Sequence, residues 1–404
     1  MTADTLLERI TDHACRADPY PLYAELREAG PVVRQADGSH LVGTYHEINA
    51  LLHDPRVSAD PRYGLAGDPE LVEGERLPFL VLDDPAHHRL RTLAMRPFGP
   101  PHTPGRVDAM RGRIAELTGE LAGGLGDRAE FDLVDDFAYP LPVTVICRLL
   151  GVPREDEPLF RRWSDVIVAS ADVQPGEEAA ERARTGRRAR MEMGRYLVDL
   201  AEQRRGRPGD DLLSAFVNEP DPALRLTREE LAETAVLLLI AGHETTVNLI
   251  TNGVLTLLRH PDQLDRLRED PGLLPGAVEE LLRFEPPVQL RRRVPLADVE
   301  VAGSVVPKGE PLVLVIASGN RDPRRFRDPD RFDPARADNQ HLGFGGGVHL
   351  CYGAPLARIE ALAALGALIP RLGEVTLVED PPPYRRNAML RGPRHLPLRA
   401  RQPA

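Results

Sequence analysis

The feature that most constrains this 404-residue chain is a single cysteine in a glycine-rich run. Residues 344–353 read FGGGVHLCYG, with Cys351 near the end, and a helical pattern follows from Pro355. Glycine lets the backbone approach a bulky, flat partner where a Cβ atom would clash. A thiolate at a helix N-terminus is stabilised by the helix dipole and by free N–H groups. The run therefore predicts a sulfur ligand for a metal, packed against a large cofactor, and a buried cysteine in a glycine-rich turn is the alternative.

A second feature is a long apolar helix that contains a short polar segment. It begins with a capping-box pattern at Thr227 and runs to about Arg259, which is roughly 33 residues or ~50 Å. Its middle is apolar on all sides, which predicts burial. Residues 241–246 then read AGHETT. Because buried polar groups cost free energy unless they are satisfied or functional, this segment is a candidate site.

Two other interpretations of the polar segment follow from its residues alone. His243 and Glu244 begin the H-E-x-x-H pattern of zinc sites, but Val247 stands where the second histidine belongs. Alternatively, Thr245 bonds back to a helix carbonyl and Glu244 is solvated.

Together, the cysteine run and the polar segment resemble the cytochrome P450 family of haem-thiolate monooxygenases. The cysteine run has a residue of the family's haem-binding loop at every fixed position, through the sequence LAR at 356–358. The family is known for ligation of haem iron by a cysteine thiolate. The resemblance covers nearly the whole chain. It implies one domain over residues 1–404, mainly α with small β-sheets, in which a long central helix lies over a haem.

The resemblance also implies roles for individual residues around the cofactor. Cys351 is expected to ligate the iron of haem b, with backbone N–H groups after it tuning the sulfur. Glu244 and Thr245 are the expected catalytic pair, because oxygen activation needs proton delivery. Gly242 is expected to loosen the helix over the haem. Further cofactor contacts are implied for Ala241, Gly242, Phe344, Gly345 and Gly353.

Basic residues from separate segments match the positions at which the family binds the haem propionates. His87 and Arg91 are four residues apart and share one helix face. Arg293 lies in an expected strand, and His349 lies inside the cysteine run. The resemblance therefore implies charge-assisted hydrogen bonds from these four residues to the two propionates.

Glu280 and Arg283 resemble the E-x-x-R pair of the family. Their spacing places both side chains on one helix face. In the family this pair belongs to a buried ion network that braces the haem loop, so its role is structural. Arg331 and Arg336 are both candidates for the third member, and Arg336 fits the usual spacing better.

The substrate pocket is expected from the segments that line it in the family. Most of these segments are apolar or small, which favours a mid-sized apolar molecule such as a macrolide, terpenoid or steroid. Arg291 and Arg292 are unusual beside Arg293: one is expected to pair with a propionate and the other to face solvent, and an acidic substrate is the alternative. The named pocket residues are Leu238, Ala241, Val288, Gln289, Leu290 and Met389, and the regions 62–81 and 171–182 also contribute.

The resemblance implies hydroxylation with O2 and two electrons from a separate ferredoxin and its ferredoxin reductase. The ferredoxin is expected to dock on the Cys351 side, with Arg89, Arg96 and Arg358 as candidate docking charges. Epoxidation, phenol coupling or desaturation on the same fold is the alternative. A catalytically silent haem protein that recruits a partner enzyme is a remote one, because such a protein is expected to lose the cysteine run or the Glu244–Thr245 pair.

Composition excludes other classes of protein. The net charge of −11 argues against bulk binding of nucleic acid. Three cysteines make no disulfide framework and fit a reducing cytoplasm. The N-terminus lacks a signal-peptide pattern, and the longest apolar run, 235–241, is shorter than the roughly 20 residues of a membrane span. The chain is therefore expected to be a cytoplasmic monomer that binds neither nucleic acid nor membrane.

Overall fold

The chain is mainly helical, as its apolar periodicity predicts. A computed structural model describes residues 5–64, 76–99, 103, 105–126, 128–170 and 177–400. Within these ranges the helices are α1 (Leu6–Thr11), α2 (Tyr20–Ala29), α3 (Tyr45–His53), α4 (Ala86–Phe98), α5 (Arg106–Ala109), α6 (Arg111–Leu125), α7 (Pro140–Leu150), α8 (Glu157–Ser170), α9 (Glu177–Glu202), α10 (Leu212–Val217), α11 (Arg228–Arg259), α12 (Pro261–Glu269), α13 (Leu274–Phe284), α14 (Ile316–Gly319) and α15 (Ala354–Leu372).

Helix α11 is the central element and agrees with the helix predicted from the sequence. Thr227 Oγ1 accepts a hydrogen bond from the Glu230 N–H at 3.2 Å, and the Glu230 carboxylate accepts one from the Thr227 N–H at 2.9 Å. This capping box satisfies two of the free N–H groups at the helix start. The helix packs against α7, α9 and α15.

Burial explains the apolar character of α11. By length and composition it is the one helix in the described ranges that qualifies as a membrane span, but 78% of its most apolar window is buried inside the protein. Most of its leucines and valines pack in the main apolar core, together with side chains of α6, α7, α13 and α15. The helix therefore crosses the interior of the fold, as predicted.

Short strands form three sheets in the described part of the chain. The strand order is β1-β2-β8-β5-β3 in the largest sheet, β4-β10-β9 in the second and β6-β7 in the third. The bounds are β1 (Val33–Arg34), β2 (His40–Val42), β3 (Val57–Ser58), β4 (Glu130–Asp132), β5 (Leu290–Pro295), β6 (Val299–Val301), β7 (Ser304–Val306), β8 (Leu312–Val315), β9 (Val375–Leu377) and β10 (Pro397–Ala400).

Three elements converge beside the cysteine run. Leu237 of α11, Ala94 of α4 and Phe79 form a small buried cluster, and Tyr352 packs against it. The Tyr352 hydroxyl also donates a hydrogen bond to the Ala94 carbonyl at 2.8 Å. Because Tyr352 directly follows Cys351, these contacts place the thiol close to both α4 and α11.

Candidate active site

The cysteine run forms a loop that is held against helix α3. Gly347 has a φ of +63°, and a Cβ atom at this position would collide with the Leu52 carbonyl oxygen, so glycine is required here. The Gly347 N–H donates a hydrogen bond to His53 Nε2 at 3.0 Å. The Cys351 N–H donates one to the Phe344 carbonyl at 2.9 Å. The loop therefore folds back on itself and presents Cys351 just before the first turn of α15.

The Cys351 thiol opens onto a cleft within the protein. Its side chain is exposed, yet burial raises the pKa of its thiol because protein surrounds it on most sides. Backbone N–H groups of Gly353 and Ala354, together with the positive charges of Arg291 and Arg91, act in the opposite direction and lower this pKa. A thiol that is accessible to a ligand, surrounded by protein and close to backbone N–H donors is suited to bind a metal. The exposure of the side chain favours a metal ligand over a buried cysteine in a turn.

Ala241 of α11 lies one helical turn after Leu237, which belongs to the cluster beside Tyr352, so it is on the face of α11 that is directed toward the cysteine loop. This residue is exposed, although the neighbouring residues of α11 on both sides are largely buried. The expected loosening of the helix at Gly242 is not observed, because α11 is continuous through this segment. Gly242 instead allows close packing of α7, since a Cβ atom there would lie 3.1 Å from Ile146 Cδ1. Thr245 Oγ1 donates a hydrogen bond to the Ala241 carbonyl at 3.0 Å, as the back-bonding interpretation predicted.

Glu244 is buried in an ion pair, so the interpretation of this residue as solvated is wrong. It is 2% exposed, and its Oε1 lies 3.2 Å from Arg385 Nε. The two groups are close but not aligned as a hydrogen bond, and both atoms lack a hydrogen-bond partner. The second Glu244 oxygen lies 4.0 Å from His243 Nε2. Sequence analysis missed Arg385, because its position far along the chain carries no motif.

His243 is a neutral core histidine and not a zinc ligand. Its Nδ1 donates a hydrogen bond to the Leu239 carbonyl at 2.9 Å, and burial lowers its pKa. The Tyr139 ring packs edge-on against it, with 5.8 Å between ring centroids. His243 Nε2 and the Tyr139 hydroxyl are buried without hydrogen-bond partners. Together with Glu244 and Arg385 they form a polar cluster inside the apolar core.

The four predicted propionate ligands are brought together by the fold. The His87 and His349 rings lie 4.3 Å apart between centroids. Burial lowers the pKa of His349 to about 3, and the charges of His87, Arg293 and Arg91 lower it further. Burial likewise lowers the pKa of Arg293 to about 10. Basic groups at this density repel one another, so the cluster is suited to bind anions.

These donors fit a haem with two propionates. His87 Nε2 is buried and has no hydrogen-bond partner, while its Nδ1 lies 3.2 Å from Asp84 Oδ1. Arg91 donates to the Leu350 carbonyl at 2.6 Å, which ties the basic cluster to the cysteine loop. A thiol, a cleft and a set of unpaired donors therefore occur side by side, which is the donor set that a haem-thiolate site requires.

The E-x-x-R pair forms a fully buried network, and the structure identifies its third member. Glu280 and Arg283 are both 0% exposed and are joined by two hydrogen bonds of 2.8 Å. Arg336 Nε lies 3.1 and 3.2 Å from the two Glu280 oxygens. Arg331 contributes only its carbonyl, which accepts from Arg283 at 3.2 Å and from Arg336 at 3.0 Å. Arg336 is therefore the third member.

The same network reaches the start of the cysteine loop. Arg283 donates a hydrogen bond to the Asn320 carbonyl at 2.9 Å. The Asn320 side chain accepts one from the Leu342 N–H at 2.7 Å. Two hydrogen-bonded steps therefore connect the buried charges to the segment that carries Cys351, consistent with a bracing role.

Three of the residues expected in the substrate pocket are buried. Leu238 is 6% exposed in the main core, and Leu290 is 3% exposed in the apolar cluster of α2 and β8. Gln289 is 0% exposed and accepts a hydrogen bond from the Tyr23 hydroxyl at 2.9 Å. The pocket role of these three residues stays a prediction. Ala241 is exposed and Val288 and Met389 are half-buried, while residues 65–75 and 171–176 lie outside the described residues.

The three arginines expected to dock a ferredoxin already have partners on the chain itself. Arg89 pairs with Glu230 at 2.7 Å, Arg96 with Glu219 at 3.8 Å and Arg358 with Glu279 at 2.7 Å. Arg358 also lies over the Phe344 ring, 4.6 Å from its centroid. Each of these charges is therefore partly neutralised before any partner arrives.

Comparison with known proteins agrees with this site. The sequence model of the Cytochrome P450 family matches residues 178–271 and 272–396. The chain is 44% identical to cytochrome P450 monooxygenase PikC of Streptomyces venezuelae, over 96% of this chain and 92% of that protein. It is 40% identical to 6-deoxyerythronolide B hydroxylase of Saccharopolyspora erythraea, over 98% and 99% of the two chains.

The fold agrees as well. The ligand-free crystal structure of Mycobacterium smegmatis CYP164A2 superposes with a TM-score of 0.89, at 40% identity over 98% of this chain and 99% of that one. The chain therefore belongs to the cytochrome P450 family. It is a haem-thiolate monooxygenase whose cofactor is haem b, and it uses a redox partner, an organic substrate and O2.

Proposed function

We propose that this protein hydroxylates a mid-sized, largely apolar small molecule, using O2 and two electrons that a ferredoxin receives from its reductase. The observation that carries the proposal is the Cys351 thiol, which opens onto a cleft bordered by Ala241 and flanked by a cluster of basic side chains. A relative named 6-deoxyerythronolide B hydroxylase supports hydroxylation as the reaction. The apolar Val288 and Met389, both half-buried and both expected in the substrate pocket, favour an apolar substrate.

Five side chains would hold the cofactor. Cys351 provides the iron ligand, and the N–H groups of Gly353 and Ala354 stabilise negative charge on its sulfur. His87, Arg91, Arg293 and His349 bind the propionates and orient the ring. When bound, the haem supplies oxygen activation and the transfer of an oxygen atom to substrate.

The proton path is assigned to α11. Arg385 holds the Glu244 carboxylate in the buried polar cluster, at 3.2 Å between Nε and Oε1. Thr245 lies one residue further along the helix and exchanges its hydrogen bond to the Ala241 carbonyl for one directed into the cleft. Glu244 then passes protons toward the Thr245 hydroxyl, and the apolar walls exclude bulk water.

The remaining expectations form part of the same proposal. The protein is a single domain over residues 1–404 and a monomer in the cytoplasm. Its ferredoxin docks on the Cys351 side and competes there with Glu230, Glu219 and Glu279 for the arginines they hold. Arg96 has the longest of the three ion pairs, at 3.8 Å, and is the arginine most available to an acidic partner.

The first test is a carbon monoxide difference spectrum of the reduced protein. A strongly red-shifted Soret band is expected from the wild type, and Cys351→Ser is expected to lose it while keeping a helical circular dichroism spectrum. Incubation with a spinach or bacterial ferredoxin system, 18O2 and a panel of apolar compounds should then place the label in a hydroxylated product. A wild type without the red-shifted band, after expression with added haem, would contradict the proposal.

A further inference from the structure

Strand β5 carries three consecutive arginines in different environments. Side chains alternate between the two faces of a strand, so Arg291 and Arg293 share one face and Arg292 points to the other. Arg292 is exposed, whereas Arg291 and Arg293 are half-buried. Across the sheet, Arg291 stands opposite Leu314 and Arg293 opposite Leu312 of β8. The neighbouring strand therefore provides no acidic group for either of them.

Arg291 differs from the buried arginines elsewhere in the fold. Arg283 pairs with Glu280 at 2.8 Å, and Arg321 pairs with Glu285 at 3.4 Å. In the part of the chain that the structure describes, Arg291 makes no side-chain hydrogen bond and no ion pair. Burial lowers its pKa, and negative charge on the Cys351 sulfur raises it. Arg291 is therefore an enclosed cation that faces the same cleft as the thiol, without an acidic partner.

The cleft contains more positive groups than the cofactor can neutralise. Three guanidinium groups, those of Arg91, Arg291 and Arg293, lie around it, and haem b brings two propionates. His87 and His349 add further hydrogen-bond donors and no anion. Asp83 attracts Arg293 at longer range and is already bonded to Ser58 and the Ala59 N–H. One guanidinium group therefore lacks an anion, and Arg291 is the one outside the family's usual set.

We propose that Arg291 binds a carboxylate of the substrate, so that the enzyme acts on a largely apolar carboxylic acid. The proposal rests on the proposed function and narrows its substrate class. The apolar part of such a molecule would contact Val288, on the segment that leads into β5, and Met389, whose carbonyl accepts a hydrogen bond from the Gln289 N–H at 2.8 Å. A guanidinium group binds a carboxylate through two parallel hydrogen bonds, and an enclosed site strengthens that pair relative to water.

The test uses probes that bind the iron whatever the native substrate is. A series of ω-(imidazol-1-yl)alkanoic acids of graded chain length, and their methyl esters, is titrated into the ferric holoenzyme, and the Soret shift gives each Kd. We expect the acid of at least one chain length to bind about tenfold more tightly than its ester, which is about 1.4 kcal/mol. Arg291→Gln should abolish this preference. Arg292→Gln, on the opposite face of the same strand, should retain it.

Other results would overturn the assignment. If no chain length favours the acid in the wild type, or if the preference persists in Arg291→Gln, then Arg291 does not bind a substrate carboxylate. If Arg291→Gln loses haem during gel filtration and the acid preference of the residual holoenzyme is unchanged, then Arg291 is a third propionate ligand. The carbon monoxide spectrum of the same preparations separates the two proposals, because a normal thiolate band without acid preference contradicts only this one.

Discussion

Two regions of this protein contain several arginines, and they differ in whether the chain itself neutralises the positive charges. Around Glu280, two arginines share one carboxylate, and the remaining N–H groups bond to backbone carbonyls. Around Cys351, Arg91, Arg291 and Arg293 face a cleft and have no ion pair within the described chain. In the first region, the polypeptide provides the counter-ion for its arginines. In the second region, the arginines are neutralised only when anions from outside the chain are bound.

The difference separates a structural charge network from a ligand site. Burying an ion is costly unless it is paired, so a network that serves the fold includes its own counter-ions. A site that serves a charged ligand leaves its cations unpaired until the ligand arrives. Burial lowers the pKa of both Arg283 and Arg293, but the bonded Glu280 opposes this shift at Arg283, whereas no bonded acid opposes it at Arg293, whose pKa is about 10.

The largest effect is expected from breaking the complete network. Glu280→Gln leaves Arg283 and Arg336 buried without a counter-ion, which should lower the free energy of unfolding by about 3–5 kcal/mol. Urea denaturation followed by circular dichroism measures this change. Glu300→Gln, at an exposed position of β6, is the matched control and should be neutral. An unchanged midpoint for Glu280→Gln would mean that the network does not brace the fold.

In the region around Cys351, loss of a charged residue should not lower the stability of the apoprotein. Arg293→Gln removes a charge-assisted hydrogen bond to a propionate, which should weaken haem binding by about 1.5–3 kcal/mol. The unfolding midpoint of the apoprotein should stay level or rise, because an unpaired enclosed cation is removed. Haem transfer to apomyoglobin measures the first quantity and urea denaturation the second, with Arg292→Gln as the control. A destabilised apoprotein would show that Arg293 supports the fold in its own right.

Substitution of Arg385 tests whether a residue in a buried ion pair also contributes to proton delivery. Arg385→Ala leaves Glu244 buried without its cation, which should lower kcat about tenfold, less than loss of a general acid. KM should change little, and the solvent isotope effect on kcat should increase, because proton delivery becomes slower. Arg385→Lys retains a cation and should recover most of the rate. Equal kcat values for Arg385→Ala and the wild type would remove Arg385 from the proton path.

The smallest expected effect is a pH-dependent change in stability that arises from Glu360 of α15. Burial raises the pKa of Glu360 well above its ordinary value, and Oε2 has no hydrogen-bond partner. The folded state therefore retains a proton that the unfolded chain releases above about pH 4.5, so stability falls as pH rises through this range. Glu360→Gln should remove this fall and be more stable than the wild type at pH 8 by about 1 kcal/mol.

The control for this titration is the exposed Glu379. Glu379→Gln should leave the pH dependence of the urea midpoint as it is in the wild type. Parallel pH curves for the wild type and Glu360→Gln between pH 5 and pH 8 would show that Glu360 is not protonated in the folded state.

Local patterns in the sequence were sufficient for the cysteine loop, the start and end of α11 and the Glu280–Arg283 pair. Each of these depends on residues within a few positions of one another, where helix geometry and turn chemistry fix the contacts. Their family pattern also indicated the basic cluster of His87, Arg91, Arg293 and His349, which the fold then assembled. The identity of the cofactor and the class of reaction follow from these short-range features.

Only the tertiary structure decided contacts between distant segments. It paired Glu244 with Arg385 and selected Arg336 over Arg331. Sequence patterns do not specify these contacts, because they depend on how whole helices and sheets pack. The absence of an ion-pair partner for Arg291 among the described residues is likewise a property of the tertiary structure, because it depends on every side chain that the fold brings near this arginine.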